Sequence, residues 1–260
     1  FVPFMKEYMQ MNKLLAPLII ALQLLTRLPI TLQVDYSDKN RALSLLFYPW
    51  VGLLIGVLLI AAGGLLNWPG TELTLGLKAA LLLVFWCFLT GFIHLDGLAD
   101  SADAWVGGFG DRERTLKIMK DPVSGPIAVS LLVLVLLLKF ELLKVLLENN
   151  HWAAIILAPL FARLAMIPLF VTTPYARKDG LGLGLGKQLP LSVILITMMV
   201  ALGIGFIGLG FALFKSLALC AVVYLLLRAA MIKRLGGTTG DTAGASIELL
   251  ELSFMLALLF

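Results

Sequence analysis

Five of the chain's nine aspartates fall in one stretch, His94 to Asp121, which reads HLDGLADSADAWVGGFGDRERTLKIMKD: Asp96, Asp100, Asp103, Asp111 and Asp121. A helix from about 92 to 105 advances 100° per residue and brings Asp100 and Asp103 within about 40° of Asp96. Three carboxylates on one stripe repel one another unless a cation sits among them. Hard oxygen donors of this kind suit Mg²⁺ or Mn²⁺ bridging to a phosphate. Arg112, Arg114, Lys117 and Lys120 follow as a separate basic cluster. Acid followed by base at the mouth of a membrane helix is commonly only a solvated loop. Against that stand the shared face of the acids, the segregation of the bases, and Gly97, which lets a backbone or ligand come close.

The elements that must position these groups are apolar. The chain has 260 residues, 60% hydrophobic and 14% charged, with a mean hydropathy of +1.00. A soluble domain carries about 25% charged residues. The composition predicts an all-α, polytopic transmembrane bundle in a lipid bilayer, one domain over residues 1–260. The net charge of +4 comes from loop lysines and arginines and does not describe a nucleic-acid surface. Cys87 and Cys220 lie inside apolar runs, as packing thiols do. Residues 1–13 read as an amphipathic or frayed lead-in, with no cleavable signal peptide. Residues 14–25, bracketed by Pro17 and Pro29, are short for a crossing and fit an interfacial or re-entrant helix. Spans follow at about 43–66, 73–95, 126–147, 152–171, 189–214 and 217–231, with a last helix ending at Phe260, seven or eight membrane helices in all. Gly52, Gly56, Gly63 and Gly64 in the first of these spans offer close helix contacts. Asn67-Trp68-Pro69-Gly70 is a turn.

Loops 27–41, 96–121, 173–188 and 233–245 are separated by pairs of spans and share one side. They hold three, four, three and two of the twenty Lys and Arg residues, against Lys215 alone in the opposite loops. The excess of positive charge places them, and the acids, in the cytoplasm. The GLGLGLG run, Gly180 to Gly186, lacks the spacing and the preceding strand of a dinucleotide loop and supplies flexibility.

A second polar stretch, GGTTGDTAGASIELLE from Gly236 to Glu251, opens the last helix on the same side. Glycine-rich backbone entering a helix N-terminus can cradle phosphate; Asp241 reads as its N-cap. Glu248 and Glu251 continue down that helix and need a partner, a metal or one of Arg163, Arg228, Lys139 and Lys144. Arg163, in mid-span, is itself a candidate for a phosphate or carboxylate. Glu141 and Lys144 read as a mutual surface pair.

The stretches HLDGLADSADAW…GDRERTLKIMKDPVSGPIAV and GGTTGDTAGASIELLE resemble the cobalamin synthase family, and LLTRLPI and FYPWVGLLIG fit its N-terminal pattern. The likeness runs from about Leu24 to Glu251. It implies a Mg²⁺-dependent enzyme of the bacterial cytoplasmic membrane, joining adenosylcobinamide-GDP to α-ribazole or α-ribazole 5′-phosphate with release of GMP, the last assembly step of cobalamin biosynthesis. On that chemistry Asp96, Asp100 and Asp103 are expected to hold one or two Mg²⁺ against the donor pyrophosphate. The general base is expected to be Asp103 or Asp100, with His94 second; His94 points away from the stripe and suits a hydrogen bond to substrate, or to a group that supports the metal ligands, better than metal ligation. Arg112, Arg114, Lys117, Lys120 and Asp121 are expected on the phosphate side. Gly237, Thr239, Gly240, Asp241, Glu248 and Arg163 are the further substrate contacts. Two rivals are a CDP-alcohol-type phosphatidyltransferase, which shares the metal logic, and a transporter gated by the acids. A homo-oligomer is compatible with all three.

Overall fold

The computed structural model describes residues 15–68, 72–180, 182–187 and 189–260. The lead-in over residues 1–13, with Lys6 and Lys13, lies outside the described residues, as do Pro69 and Gly70 of the expected turn. Helix α1 (Leu15–Leu25) is too short for the bilayer core as described. Helix α2 (Asp38–Ser44) and a 3₁₀ turn (Leu45–Phe47) lead into α3 (Tyr48–Leu66). Then come α4 (Leu75–Thr90), α5 (Ile93–Gly107), α6 (Arg112–Ile118), α7 (Pro126–Glu148), α8 (Trp152–Leu164) and α9 (Met166–Thr172). The chain closes with α10 (Leu191–Leu209), α11 (Ala212–Leu235), α12 (Gly240–Leu256) and a 3₁₀ turn, Ala257–Leu259. Among the described residues six spans are long and apolar enough to cross a membrane; α4 and α5 reach that length only if taken together, and they are bent by 86°. Among the described residues the only β feature is a bridge between Tyr175 and Thr238.

The interior is built on α12 and on the α3–α8 pair. A Cβ at Gly52 or Gly56 would fall 2.3 Å from the carbonyl oxygen of Pro159 or Ile156, and one at Gly63 would strike the Trp152 ring. The expected glycine seam is therefore present, except that Gly64 faces open space. In lipid, where apolar surface gives no association force, such backbone contact is what holds helices together. Helices α10 and α11 leave most of their length exposed, as lipid-facing helices do.

Three boundaries differ from expectation. The single span over 73–95 breaks at Gly91 and Phe92, both left-handed (φ 62° and 60°), and α5 leaves α4 at 86°. Arg27 fills the bend: its backbone N–H donates to Leu89 O and its side chain occupies the place of a Gly91 Cβ. Residues 152–171 split at Ala165 because Pro168 has no N–H for the Leu164 carbonyl and crowds it. The hairpin expected at 215–216 turns instead at Gly210, which has φ 53°. Lys215 then lies within α11 and donates to Phe260 O.

The four basic loops meet at one end of the bundle. Arg41 Nη2 donates to Leu183 O at 2.6 Å and Arg112 Nε to Leu235 O at 2.7 Å. Lys120 pairs with Asp179 at 3.2 Å, and the Tyr175–Thr238 bridge joins loop 173–188 to loop 233–245. Asn67, Lys78 and Asn150 share a crevice at the other end.

Candidate active site

Helix α5 is not one of the six long spans, and its His94, Leu95, Gly97, Leu98, Ala99, Ser101 and Ala104 are buried against its neighbours. The opposite face carries the acids: Asp96 is exposed and Asp100 and Asp103 are half-buried. The N-terminus of α12 presses on α5 at Gly97, where a Cβ would sit 2.7 Å from Asp241 O. The close approach anticipated for Gly97 is thus to the Asp241 backbone. It adds a fourth carboxylate to the cluster. Partial burial, then the charges of Asp96 and Asp241, and more weakly Asp103, raise the Asp100 carboxyl to about 6, with Arg177 pulling the other way.

The N-cap of α12 is Thr239, not Asp241. Thr239 Oγ1 accepts from Thr242 N and Thr242 Oγ1 accepts from Thr239 N, a reciprocal cap. Asp241, one residue into the first turn, is released to pair with Arg177 at 2.7 Å. Arg177 was read from the sequence only as one loop charge among three; nothing in its neighbours marks it as the partner of Asp241. The glycine loop is also more occupied than a phosphate cradle would be. Thr238 N donates to Pro174 O, Ala176 N donates to Thr238 O, and Gly237 lies against the Pro174 carbonyl. Gly240 opens the helix.

Asp103 shares the acid face but looks elsewhere. Its two oxygens accept from Gly125 N and Ala128 N, closing the N-terminus of α7. Among the described residues, no three acids, histidines or cysteines stand where they could share one metal ion. With Asp103 engaged, the donor set facing solvent is Asp96 and Asp100. That set fits Mg²⁺, which is commonly held by one or two carboxylates plus water and substrate phosphate oxygens.

The basic cluster divides in the same way. Arg112 is spent on Leu235 O and Ala176 O, Lys120 on Asp179, and Arg114 stacks 5.0 Å from the Phe109 ring. Lys117 is exposed. Asp111 caps α6 by accepting from Arg114 N, and Asp121 accepts from Val123 N. His94 is 3% exposed and its Nε2 has no hydrogen-bond partner.

Glu248 and Arg163 are not brought to the acids. Lys139 donates to Glu248 at 2.8 Å and to Glu251 at 2.6 Å, and Arg163 donates to Glu251 at 2.6 Å. The Lys139 ammonium lies 4.1 Å from the Trp86 ring centre. All four charged side chains are 3% exposed or less. Of the partners expected for these glutamates the structure selects Lys139 and Arg163; Arg228 binds Thr172 and Thr173 instead, and Lys144 pairs with Glu141 at 3.3 Å. Cys87 and Cys220 are free thiols.

The family model for cobalamin-5-phosphate synthase matches residues 17–259. An adenosylcobinamide-GDP ribazoletransferase of Stutzerimonas stutzeri (strain A1501) is 52% identical over 242 residues, covering 93% of this chain and 97% of the relative. The protein of the same name from Pseudomonas fluorescens (strain Pf0-1) is 53% identical, covering 93% and 98%. No solved structure matches the chain. With the match running through every helix from α1 to α12 and taking in both polar motifs, the chain belongs to the cobalamin-5-phosphate synthase family.

Proposed function

We propose that the protein is the ribazole-transferring enzyme of cobalamin assembly, working at the cytoplasmic face of a bacterial inner membrane. The observation that carries this is the acid face of α5 set against the N-terminus of α12, in a chain matched by its family over residues 17–259. The substrates are adenosylcobinamide-GDP and α-ribazole or its 5′-phosphate. A ribose hydroxyl oxygen attacks the phosphorus attached to the cobinamide arm; the new P–O bond forms as the bond to GMP breaks, and the hydroxyl proton passes to a carboxylate.

Chemistry of this kind depends on positioning and neutralisation of charge. Asp96 and Asp100 would hold Mg²⁺, which when bound offsets the charge of the donor pyrophosphate. Of the three candidates for the proton, Asp103 is engaged with α7 and His94 is buried on the far face. Asp100 remains. Arg177 fixes Asp241 beside the pair, and Lys117 is free to meet a phosphate. The transporter alternative loses support because the interior charges are buried and paired with one another.

Purified protein mixed with adenosylcobinamide-GDP and α-ribazole should release GMP with Mg²⁺ and not with EDTA. Absence of GMP in both would overturn the assignment. Formation of a phosphatidyl product from a CDP-alcohol would favour the rival transferase.

A further inference from the structure

Arg177 follows Tyr175 and its bridge to Thr238 closely in the chain, and its Nη2 lies 2.7 Å from Asp241 Oδ2. The distance is that of an ion pair, but the N–H bonds do not line up. Arg177 Nε, Arg177 Nη2 and Asp241 Oδ2 are buried atoms that make no hydrogen bond. Three other arginines at this end of the bundle show what that pair of nitrogens does elsewhere. Arg112 directs Nε and Nη2 to the Leu235 and Ala176 carbonyls, Arg228 to Thr173 Oγ1 and Thr172 O, and Arg234 to Thr115 Oγ1 and Trp105 O. In each, the flat Nε–Nη2 edge of the guanidinium, which can grip two oxygens at once, is closed by the protein. At Arg177 it is not. Arg163 has the same unmade edge, but its side chain is 0% exposed and its Nη1 holds Glu251 inside the bundle. The Arg177 side chain is 14% exposed, and its charge acts on Asp100 as well as on Asp241. It therefore stands at the carboxylates that would hold Mg²⁺, with donors to spare for an anion arriving on that ion.

We propose that Arg177 grips the diphosphate of the donor nucleotide and that Asp241 holds its place until the nucleotide arrives, an inference that rests on the proposed function. On binding, the guanidinium leaves Asp241 and sets its Nε–Nη2 edge on two phosphate oxygens, while Asp96 and Asp100 keep the cation. A close but misaligned pair suits such an exchange. Attraction keeps Arg177 at the site, and the unmade hydrogen bonds leave phosphate, which accepts two at once, the stronger partner. The same grip neutralises the charge that gathers on the leaving phosphate as GMP departs.

The test is calorimetric titration of inorganic pyrophosphate, with Mg²⁺ saturating, into the purified full-length protein. Arg177→Gln should weaken binding about tenfold or more, the scale of one or two charge-assisted hydrogen bonds. Arg177→Lys keeps the charge near Asp241 but lacks the flat edge; it should bind about fivefold or more weakly while melting near the wild-type temperature. Asp241→Asn removes the competitor and should tighten binding about threefold. That gain should vanish in the double variant Arg177→Gln, Asp241→Asn. A purely structural pairing predicts another pattern, in which loss of either partner lowers affinity and melting temperature together. Wild-type affinity in Arg177→Lys overturns the inference, and does so even if Arg177→Gln does not fold. So does a gain from Asp241→Asn that persists without Arg177, or a wild type that binds no pyrophosphate. Ribose 5-phosphate, in place of the acceptor's phosphate, should bind independently of Arg177; a dependence there alone overturns the assignment to the donor. The GMP-release assay on wild-type protein is the separate control: its failure removes the proposed function, whereas GMP release with pyrophosphate binding indifferent to Arg177 removes this inference alone.

Discussion

Two groups of charges in this molecule use the same side-chain types to opposite ends. In the bundle interior, Lys139 and Arg163 meet Glu248 and Glu251 in hydrogen-bonded contact, two positive against two negative, sealed from solvent. At the lip, Asp96, Asp100 and Asp241 gather around Arg177, and the cluster is half-open. The inner group is balanced in charge, two against two, although Arg163 Nε and Nη2 have no hydrogen-bond partner. The outer group carries an excess of negative charge in reach of water, and on the proposed function a cation would offset it. Ionisable residues at membrane depth are by default functional candidates; here the balance of charge, more than depth, separates the lock from the site.

The comparison can be broken most decisively at Asp96. Asp96→Asn should lower turnover by about a thousandfold, roughly 4 kcal/mol of barrier, with expression and thermal unfolding near wild type. Retained activity would remove it from the site. On the inner side Lys139→Met should destabilise by about 3–5 kcal/mol, because buried Glu248 loses its charged partner and Glu251 keeps only Arg163. Pairing it with Glu248→Gln should recover part of that loss, measurable as the melting temperature in detergent. A smaller effect is expected at the contact between α5 and α12. Gly97→Ala puts a methyl against the Asp241 carbonyl and should cost about 1–3 kcal/mol; the loss of kcat should exceed the change in either KM.

Much of this was legible in the sequence, and the omissions share a cause. The acid stripe follows from helical period alone, and the sidedness of the loops from lysine and arginine counts. What escaped depends on neighbours far along the chain. Asp103 is drawn off by the N-terminus of α7, more than twenty residues later. Arg177 finds Asp241 across the loop pairing. Thr239 and Asp241 are both good capping residues, and only the helix start decides between them. The bend before α5 uses Phe92 in a conformation that side chains rarely adopt, and the turn at Gly210 falls in a run with no polar residue to mark it. Lys215 and Ser216 drew attention to the wrong place.

Two milder predictions sharpen the contrast. Lys117→Ala should raise the KM of a phosphate-bearing acceptor about threefold and leave that of unphosphorylated α-ribazole unchanged. Asp100→Asn should raise the melting temperature by about 1–2 °C at pH 7.5 without divalent cation. The sign follows from the folded-state carboxyl, which at about 6 lies above the ordinary range. Its ionisation costs stability as the pH climbs from about 4 through 6, so the advantage of the amide should fade by pH 4. Added Mg²⁺ should stabilise wild type and leave Asp100→Asn nearly unmoved.

The right-angle turn between α4 and α5 has a consequence for traffic. A helix set crosswise to the one before it runs its row of carboxylates across the axis of α4 instead of along it. On the proposed function, a donor with an apolar body and a charged tail would meet that row side-on, with its tail at the acids and its body free to stay among the apolar helices.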